Sequence, residues 1–544
     1  MKKYIIIIFL MALALLGAKD IEYSYTFADS SGVQLYQYGK PLPPTIDQGT
    51  LLLLNGYRGS EQQNVARFND TIDSLYNKVE IEFDLHIGYG GEGFGFALVN
   101  TENYTTTDSL KLPKWEEPSL SGSFAVGFDI SNPPTSNIFD SNGNYYANPE
   151  REISLHWDGM EKKKILSPVE FRADPAEDEG FKHCELGIEY VIGGAEITLS
   201  IDDQKVFDSY FIASMQPYPF SLAAGVHTSQ RTTNLYLDNV KLELSKQTKE
   251  NIQPIKVTLI DKQPVYVKYR ETSRQVEFPE FDVEIGRAIL NLKIGDMSGG
   301  YDPWDEGAHI YLWQDEERYE ICRFITPYYR GHLWQVDVTD FLPLFEGEKK
   351  IDLFVGTWMQ EAEDPAMQKG WEITVDIDFY PGEAEFTPIS VKNIWNGEFE
   401  YGNPADPLVS HLPQTDIIVP DNAKKAKLRL VVTGHGMTPN SQNAGEFMPS
   451  ERTVYINQQP YENLLWKADC YLNSCRPQSG TWKFNRTGWA PGSVVEAWEI
   501  EINSELLTSG KLKLEYLPMA YLNVDESDAY KPHHIFESQL IFYK

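Results

Sequence analysis

The stretch EITVDIDFY, residues 372–380, decides the fold class because apolar and polar side chains alternate along it. Every second residue from Ile373 to Phe379 is apolar, and these side chains lie on one face of a strand. A period of two with one polar face is typical of an antiparallel sheet that has one side in water. The stretch therefore predicts sheets of this kind.

The same alternation occurs in VEIEFDLHIG (79–88), KLKLEYL (511–517) and the terminal QLIFYK (539–544). Apolar stripes at helical spacing are scarce, whereas Tyr, Phe, Trp, Gly, Pro and Asn are abundant. This combination favours β-sandwiches that are joined by many turns. We predict an all-β protein.

Two breaks divide the sequence into regions. One is the polar, charged stretch at 243–253, and the other is the Pro- and Gly-containing stretch at 379–388. A chain of 544 residues is too long for one hydrophobic core, so two to four domains are expected. The predicted regions are a leader (1–18) and three β-domains (19–247, 248–382 and 383–544).

The leader has the features of a secretory signal peptide. Two lysines precede an apolar run from Tyr4 to Leu16, and the small residues Gly17 and Ala18 follow it. The run is too short for a membrane span. We expect an exported monomer, periplasmic or secreted, that is cleaved near Ala18. The net charge of −33 disfavours nucleic acid and anionic membranes as partners.

The cysteines are few, and two of them lie close together. Cys470 and Cys475 lie five residues apart in DCYLNSCRPQ. In an exported protein such a pair predicts a disulfide that holds a loop. A zinc site is the alternative, but no histidine lies nearby to complete it.

Motifs in the first β-domain appear in a characteristic order. They are GGEGFGFALVN (90–100), GSFAVGFDISNPPTSN (122–137) and SLAAGVHTSQRTTNLYLDNVKLE (221–243). This order resembles the legume-lectin and laminin-G group of concanavalin-like jelly rolls, which implies a sandwich of that type.

The lectin resemblance also implies a ligand site. Glu92 stands at the position of a loop acid, and Asp129 and Asn132 stand at positions of calcium-site residues. Gly127 occupies a position where lectins with a metal pair carry an acid, which argues against calcium. The resemblance implies a glycan or calcium site at these residues, with calcium disfavoured by Gly127, and the alternative is a spacer domain with no ligand.

Acids and tryptophans mark the second half of the chain. In SGGYDPWDEGAHIYLW (298–313), Asp302 and Asp305 flank Trp304 at the start of an alternating strand. An acid beside Trp is a candidate for a desolvated carboxyl group with a raised pKa, which can transfer protons near neutral pH. Trp rings also offer flat faces to sugars. Turns commonly contain Asp for structural reasons, so the spacing alone leaves both interpretations open.

Residues 252–544 resemble the peptide-N-glycosidase F family, the bacterial amidases that remove N-linked glycans. The resemblance rests on the Trp-Asp strand, on RFITPY, DVTDF and RTGWAPG, and on the loop from Gly-His-Gly to Ala-Gly-Glu-Phe, all in the family's order. It implies two adjacent antiparallel eight-stranded jelly rolls with the active site in the cleft between them. The expected substrates are N-glycosylated proteins or glycopeptides, hydrolysed at the amide between Asn and the first GlcNAc. No cofactor and no metal are expected.

The resemblance also implies roles for individual residues. Asp305 and Glu446 match the two essential acids of the family. The expected substrate-binding residues are Trp304, Trp358, His435, Arg486 and Trp489. His435 stands where the family has an aromatic residue, so it is expected to line the cleft or contact sugar rather than to act as a base.

Amide hydrolysis needs an activated water, a proton for the leaving amine and donors for the oxyanion. Our hypothesis is that Asp305 deprotonates the water, while Glu446 binds the sugar or amide and transfers the proton. The roles of the two acids could also be exchanged. Arg486 either orients Glu446 or polarises the carbonyl group.

Two departures from the family pattern affect the expected site. Gly356 stands where the family has a third acid, and Glu361, Glu363 or Asp364 on the following loop could replace it. Glu306 stands where the family has an Arg after the first essential Asp. Substrate contacts or the pKa of the neighbouring Asp are therefore expected to differ.

Two other functional classes were considered. A non-catalytic glycan-binding surface protein with the same fold fits the missing third acid. Copper-dependent peptide hydroxylation needs histidine-rich sites. The sequence has no His-x-His motif, and the His533-His534 pair is expected to lie in a solvated loop.

Overall fold

The computed structural model describes residues 21–39, 42–56, 62–88, 92–106, 110–130, 137–139, 145–147, 151–173, 180–228, 233–248, 251–436, 444–524 and 531–544. The predicted signal peptide and Asn132 lie outside the described residues. The described chain is nearly all β, as predicted. In this part of the chain no helix is long and apolar enough to cross a membrane.

The first sandwich contains seventeen of the described strands. These are β1 (Ile21–Tyr25), β2 (Val33–Gly39), β3 (Thr45–Asp47), β4 (Thr50–Leu54), β5 (Gln62–Ile72), β6 (Leu75–Ile87), β7 (Gly93–Asn100), β8 (Phe124–Asp129), β9 (Asn137–Phe139), β10 (Tyr145–Ala147), β11 (Glu152–Trp157), β12 (Met160–Leu166), β13 (Lys182–Val191), β14 (Gly194–Ile201), β15 (Gln204–Ala213), β16 (Phe220–Thr228) and β17 (Leu235–Thr248). One sheet has the order β15-β14-β13-β6-β17-β4-β3, and β1 also pairs with β17. The other has the order β12-β11-β8-β7-β16-β5-β2, and β9 and β10 form a small hairpin.

Burial in this sandwich follows the predicted alternation in some strands and not in others. Residues 79–87 of the predicted stretch lie within β6, where buried and half-buried residues alternate. In β7 and β8 both faces are buried. The reason is a connecting segment with Leu110, Leu112 and Trp115, which covers the outer face of that sheet with a second apolar cluster.

The second sandwich has eight strands in two sheets of four, as predicted. Its strands are β18 (Ile255–Val265), β19 (Glu271–Phe278), β20 (Ile285–Asp296), β21 (Gly307–Gln314), β22 (Glu317–Ile325), β23 (His332–Asp337), β24 (Gly347–Val355) and β25 (Trp371–Pro381). The sheet orders are β18-β25-β20-β23 and β19-β24-β21-β22. The apolar residues of 372–380 lie in β25 and are fully buried between the sheets.

The third sandwich has sheets of five and four strands among the described residues. Its strands are β26 (Pro388–Asn393), β27 (Gly397–Glu400), β28 (Thr415–Ile418), β29 (Lys425–His435), β30 (Ser450–Ile456), β31 (Gln459–Leu465), β32 (Trp498–Ile502), β33 (Lys511–Pro518) and β34 (His533–Tyr543). The orders are β26-β34-β29-β32 and β28-β33-β30-β31. The expected eight strands become nine because β26 and β27 pair in succession with β34.

Short helices complete the fold. The α-helix α1 is Ser504–Leu507, and the 3-10 helices are Val267–Tyr269, Thr339–Leu344, Pro365–Met367, Leu408–His411 and Cys470–Leu472.

The terminal strand β34 differs from its predicted pattern. Its alternation was expected to leave one face in water, but nearly the whole strand is buried. Leu540 and Phe542 belong to the core of the third sandwich, whereas Ile541 and Tyr543 belong to the core of the second. The second face of β34 is buried because it packs against the second sandwich.

The His533-His534 pair lies at the start of β34 and not in a solvated loop. His534 is buried and stacks on Tyr401 with ring centroids 4.3 Å apart. His533 is partly buried and stacks on His435 at 5.6 Å. The prediction was wrong because the strand begins at His533, six residues before the predicted stretch 539–544.

The predicted disulfide between Cys470 and Cys475 is absent. Both thiols are free and buried. The Cys470 Sγ donates to the carbonyl groups of Lys467 and Trp489, at 3.5 and 3.6 Å. The Cys475 Sγ packs against Gly492 instead, where an added Cβ would lie 3.0 Å from the sulfur. Burial raises the pKa of each thiol to about 12, which keeps both in the protonated form.

Candidate active site

The predicted site residues of the second half gather where the second and third sandwiches meet. The backbone of β22 continues into this junction, since Phe324 forms a β-bridge with Val494 and the Ile325 N–H donates to the Ser493 carbonyl at 2.9 Å. Asp305 lies on the loop before β21. The loops of the third sandwich bring in Glu446 and Arg486 from the other side.

Asp302 fixes the loop that carries Asp305. It is fully buried, and its carboxylate accepts hydrogen bonds from the Trp304 N–H at 2.9 Å and from the Thr357 hydroxyl at 2.6 Å. The Thr326 side chain holds the same loop, because its hydroxyl donates to the Trp304 carbonyl and accepts from the Glu306 N–H. Asp302 therefore stabilises the loop that carries Asp305. Its position near Trp304 in the sequence did not distinguish this structural role from a catalytic one.

Arg486 is the centre of the junction and is only 1% exposed. Its Nε donates to Glu446 Oε1 at 3.1 Å, and its Nη2 donates to Asp305 Oδ2 at 3.4 Å. The remaining N–H groups donate to the Thr481 hydroxyl, the Thr481 carbonyl and the Phe484 carbonyl, at 2.9 to 3.0 Å. One guanidinium thus joins the two predicted acids, and its five donors all have acceptors.

A close backbone approach places Glu446. Gly434 and Gly445 pack together so tightly that a Cβ on Gly434 would lie 2.1 Å from the Gly445 carbonyl oxygen. The Thr487 N–H donates to the Glu446 carbonyl at 2.8 Å, and the Thr487 carbonyl accepts from the Gly434 N–H at 2.9 Å. The glycines of the Gly-His-Gly and Ala-Gly-Glu motifs therefore allow β29, the Glu446 loop and the Arg486 segment to stack on one another.

Burial shapes the electrostatics of the two acids. It raises the pKa of Asp305, and Arg486 and a hydrogen bond from Tyr328 partly offset this effect. Burial likewise raises the pKa of Glu446, again offset in part by Arg486. The site therefore holds two carboxyl groups whose proton affinities exceed those in water, which suits proton transfer near neutral pH.

Glu306 is a third acid in the site, in a place that the sequence analysis did not propose. A Cβ added to Gly356 would lie 3.3 Å from Glu306 Oε2, so this carboxyl group packs directly on the glycine. Burial, followed by the charges of Asp302 and Asp305, raises the pKa of Glu306 to about 8. Its position after Asp305 was the available signal, but spacing could not show that its side chain reaches Gly356.

The three loop acids predicted as possible replacements at Gly356 lie elsewhere or have other partners. Glu361 forms an ion pair with Lys268 at 2.7 Å. Asp364 accepts a hydrogen bond from the Ala366 N–H and begins a short 3-10 helix. Glu363 is exposed on the same loop.

Two tryptophans at this junction are open to solvent. Trp304 is 55% exposed and precedes Asp305, and Trp358 is 68% exposed and lies two residues after Gly356. Exposed indole faces of this kind are suited to the apolar faces of sugar rings.

Trp489 and His435 lie behind the charged groups. Trp489 is 4% exposed, donates to the Gly434 carbonyl at 2.8 Å and has the Arg486 guanidinium 4.7 Å from its ring centroid. His435 stacks on Trp489 at 5.4 Å and contacts the Thr433 hydroxyl at 2.8 Å. Burial and the nearby His533 hold the pKa of His435 well below its usual range, so the imidazole stays neutral.

The three residues proposed for the first sandwich do not form one described group. Glu92 lies 3.0 Å from Nδ1 of His227. Asp129 is 4% exposed, and burial raises its pKa well above its usual value. Asn132 falls outside the described residues.

A comparison with known families matches residues 408–536 to the family described as peptide-N-glycosidase F, C terminal. The matched residues include Glu446 and Arg486. The predicted resemblance to the peptide-N-glycosidase F family is confirmed.

Similar proteins include peptide-N(4)-(N-acetyl-beta-D-glucosaminyl)asparagine amidase F of Elizabethkingia miricola, which is 29% identical over 237 residues. That alignment covers 41% of this chain and 64% of the relative, so the chain spans less than two thirds of the relative's length. A solved structure of peptide-N-glycosidase F from Flavobacterium meningosepticum is 24% identical, with a TM-score of 0.46 and coverage of 53% of this chain and 95% of that one. The exoplasmic/lumenal domain of VIP36, solved with Ca2+ and Man3GlcNAc, is 12% identical, with a TM-score of 0.29 and coverage of 42% and 90%.

Proposed function

We propose that the protein is an exported peptide-N-glycosidase. It would hydrolyse the side-chain amide between Asn and the first GlcNAc of N-linked glycans, leaving Asp and a glycosylamine. The observation that carries this proposal is the pair of partly buried acids, Asp305 and Glu446, which the buried Arg486 joins beside the exposed Trp304 and Trp358. The peptide-N-glycosidase F match over residues 408–536 supports the same reaction class.

In the proposed mechanism Asp305 accepts a proton from water as the oxygen attacks the amide carbon. The tetrahedral oxyanion then collapses, the C–N bond breaks, and Glu446 supplies the proton that the departing glycosylamine nitrogen needs. Burial raises the pKa of both carboxyl groups above their usual values, and this shift toward neutral pH favours their use as general acid and base. Trp304 and Trp358 would bind the sugar rings through their exposed faces.

Arg486 has a positioning role in this proposal. Two hypotheses were open, namely orientation of Glu446 and polarisation of the substrate carbonyl. All five N–H groups of Arg486 already have acceptors within the protein, so no donor is left for an oxyanion. This supports the hypothesis that Arg486 orients Glu446. The Trp489 ring packs against the Arg486 guanidinium, 4.7 Å from its centroid, and helps to hold it in place.

A glycan-binding protein without catalysis is the second candidate. The exposed Trp304 and Trp358 would serve such a protein equally well. The acids distinguish the two functions, because a pure binding site has no need for two partly buried carboxyl groups of raised pKa.

The deciding experiment is incubation of the full chain with a denatured N-glycoprotein, with and without EDTA, followed by peptide mass measurement. The expected result is release of the glycan and conversion of the glycosylated Asn to Asp in both samples. Absence of release, combined with retention of the protein on an immobilised glycan column, would establish the binding protein instead. Activity lost only with EDTA would contradict the metal-free mechanism.

A further inference from the structure

A second cluster of ionisable side chains lies in the first sandwich. It consists of Glu92, Glu116 and His227, whose ligand-capable atoms all lie within 4.8 Å of one another. Glu92 directly precedes β7, and His227 on β16 pairs with Gly93, the first residue of β7. Glu116 comes from the segment that covers the outer face of this sheet. Three separate parts of the chain therefore meet at one point.

Close packing holds the covering segment in place. A Cβ on Gly93 would lie 2.1 Å from the Glu116 Cβ, and a Cβ on Gly225 would lie 2.0 Å from the Trp115 ring. Trp115 is fully buried beside Glu116. The Glu116 side chain consequently starts from a fixed backbone directly above β7.

Two polar atoms of this cluster lack the hydrogen bonds that burial demands. Glu116 is 6% exposed, and its Oε2 has no hydrogen-bond partner in the described structure. His227 Nδ1 lies 3.0 Å from Glu92 Oε2, yet its geometry there is not that of a hydrogen bond. A buried carboxyl oxygen without a partner is costly, and a cation bound between these atoms would remove the cost.

We infer that Glu92, Glu116 and His227 bind a divalent transition-metal cation, Zn²⁺ or Mn²⁺. Two carboxylates and one imidazole are three protein ligands of the types that both ions accept, and solvent can complete the coordination. Ca²⁺ fits less well because it takes six to eight oxygen ligands, which this group does not offer. Glu92 and His227 are partly exposed, which gives the ion a path of entry.

The alternative is that a proton on Glu116, rather than a bound cation, neutralises the buried carboxyl group. Glu116 could stay protonated, because burial raises its pKa, and then no cation would be needed. The two accounts differ in a measurable way. A bound metal stabilises the folded state by an amount that rises with the logarithm of the free metal concentration above the Kd, whereas a protonated carboxyl group does not respond to metal.

The test uses the full chain after treatment with EDTA and transfer to metal-free buffer. ZnCl₂ and MnCl₂ are titrated separately by calorimetry, CaCl₂ is titrated for comparison, and thermal unfolding is followed in parallel. The expected result is saturable binding of one equivalent of at least one of the two ions with a rise in Tm. Failure of both ions to bind, or binding of CaCl₂ alone, would overturn the inference.

Two variants and one control locate the site. His227→Gln and Glu116→Gln should each weaken binding by more than about tenfold, since even removal of groups behind the ligands costs that much. His183→Gln is the matched control, because His183 pairs with Asp84 at 2.8 Å on the same sandwich but belongs to no group of three candidate ligands among the described residues. Equal binding by wild type and by His227→Gln would show adventitious binding and refute the site. Amidase activity should not change in these variants, so the outcome is independent of the proposed function.

Discussion

Arg486 decides how the two acids of the candidate site behave, because both carboxyl groups depend on one buried guanidinium. It is 1% exposed and donates to Asp305 and Glu446 from different nitrogen atoms. Charges this deeply buried are stable only when they are paired and hydrogen-bonded. At the scale of single residues, the site is therefore a coupled set whose members respond to one another's charge.

Asp305→Asn should nearly abolish activity and leave the fold unchanged. Asn keeps the shape of the side chain but cannot accept a proton from water, and a general base contributes about 100- to 10,000-fold to a rate. Glycopeptide hydrolysis and thermal unfolding are the two measurements. Asp296→Asn, at an exposed position in the same sandwich, is the control and should retain full activity. Retained activity in the Asp305 variant would remove Asp305 from the mechanism.

Arg486→Lys tests the positioning role. Lysine keeps the positive charge but cannot bond both carboxyl groups in the planar geometry of a guanidinium. A displacement of about 1 Å can cost about 100-fold in rate, so kcat should fall by that order with a smaller change in KM. Arg452→Lys is a matched control, because Arg452 is a buried arginine of the same sandwich that bonds Asn463 at 2.9 Å. A rise in KM at constant kcat would indicate direct substrate binding instead.

The raised pKa of Glu306 predicts how the activity depends on pH. Its pKa is raised to about 8, so the carboxyl group is neutral below that pH and negatively charged above it. A new negative charge beside Asp305 disfavours the anionic tetrahedral intermediate. We expect kcat/KM to decline as pH rises through about 8, and Glu306→Gln to remain active to higher pH.

The control for this profile is Glu361→Gln, which removes an exposed acid that pairs with Lys268 on the neighbouring loop. Its pH profile should match that of the wild type. An identical decline in the Glu306→Gln variant would mean that another group titrates there.

At the scale of elements, β34 joins two hydrophobic cores. Its consecutive residues alternate between them, with Ile541 in the core of the second sandwich and Leu540 in that of the third. Period-two patterning therefore has a different consequence here than in β33, where Leu512 and Leu514 are buried and Leu517 is 48% exposed. A strand that lies between two hydrophobic cores has no solvent-exposed face, so both sets of alternating side chains are buried.

Ile541→Ala should destabilise the protein by about 2–5 kcal/mol, the usual cost of such a truncation in a core. Leu517→Ala removes a similar side chain from the exposed face of β33 and should change the free energy of unfolding by no more than about 0.5 kcal/mol. Urea denaturation of both variants is the measurement. Similar small effects for the two would contradict the placement of Ile541 in the second core.

At the scale of the whole molecule, polar contacts connect the first sandwich to the other two. Lys162 donates to Gln335 at 3.1 Å, and Gln335 donates to Ser214 at 2.9 Å. Arg476 of the third sandwich pairs with Glu161 of the first at 2.7 Å, and both side chains are largely buried. Because this ion pair joins the first sandwich to the third, its strength measures how firmly the two sandwiches are attached to each other.

A double-mutant cycle on Glu161→Gln and Arg476→Gln should show a coupling energy of about 0.5–3 kcal/mol in thermal unfolding. The cycle is needed because Glu161 also lies 3.5 Å from Lys164, and each single variant perturbs that contact. The exposed pair Lys205 and Asp208, at 2.8 Å within the first sandwich, is the control and should show at most about 1 kcal/mol. Additive effects at Glu161 and Arg476 would mean that the contact does not hold the sandwiches together.

The motifs predicted which residues belong to the candidate site, but not which contacts their side chains make. The motif order indicated Asp305, Glu446 and Arg486, and the structure brings these three together. Spacing along the chain could not show that Glu306 reaches the space beside Gly356, or that Trp489 is buried and unavailable to a sugar. Such facts depend on side-chain directions across a junction between two domains.

The sequence by itself determined the all-β class, the strands with period two and the acids available for catalysis, because these follow from local alternation and residue chemistry. Only the tertiary structure decided the rest. It buried both faces of β34, left Cys470 and Cys475 unpaired, and placed Glu116 beside His227. The physical reason is that burial and proximity arise between segments far apart in the chain, and the desolvation that raises a carboxyl pKa exists only once those segments have packed.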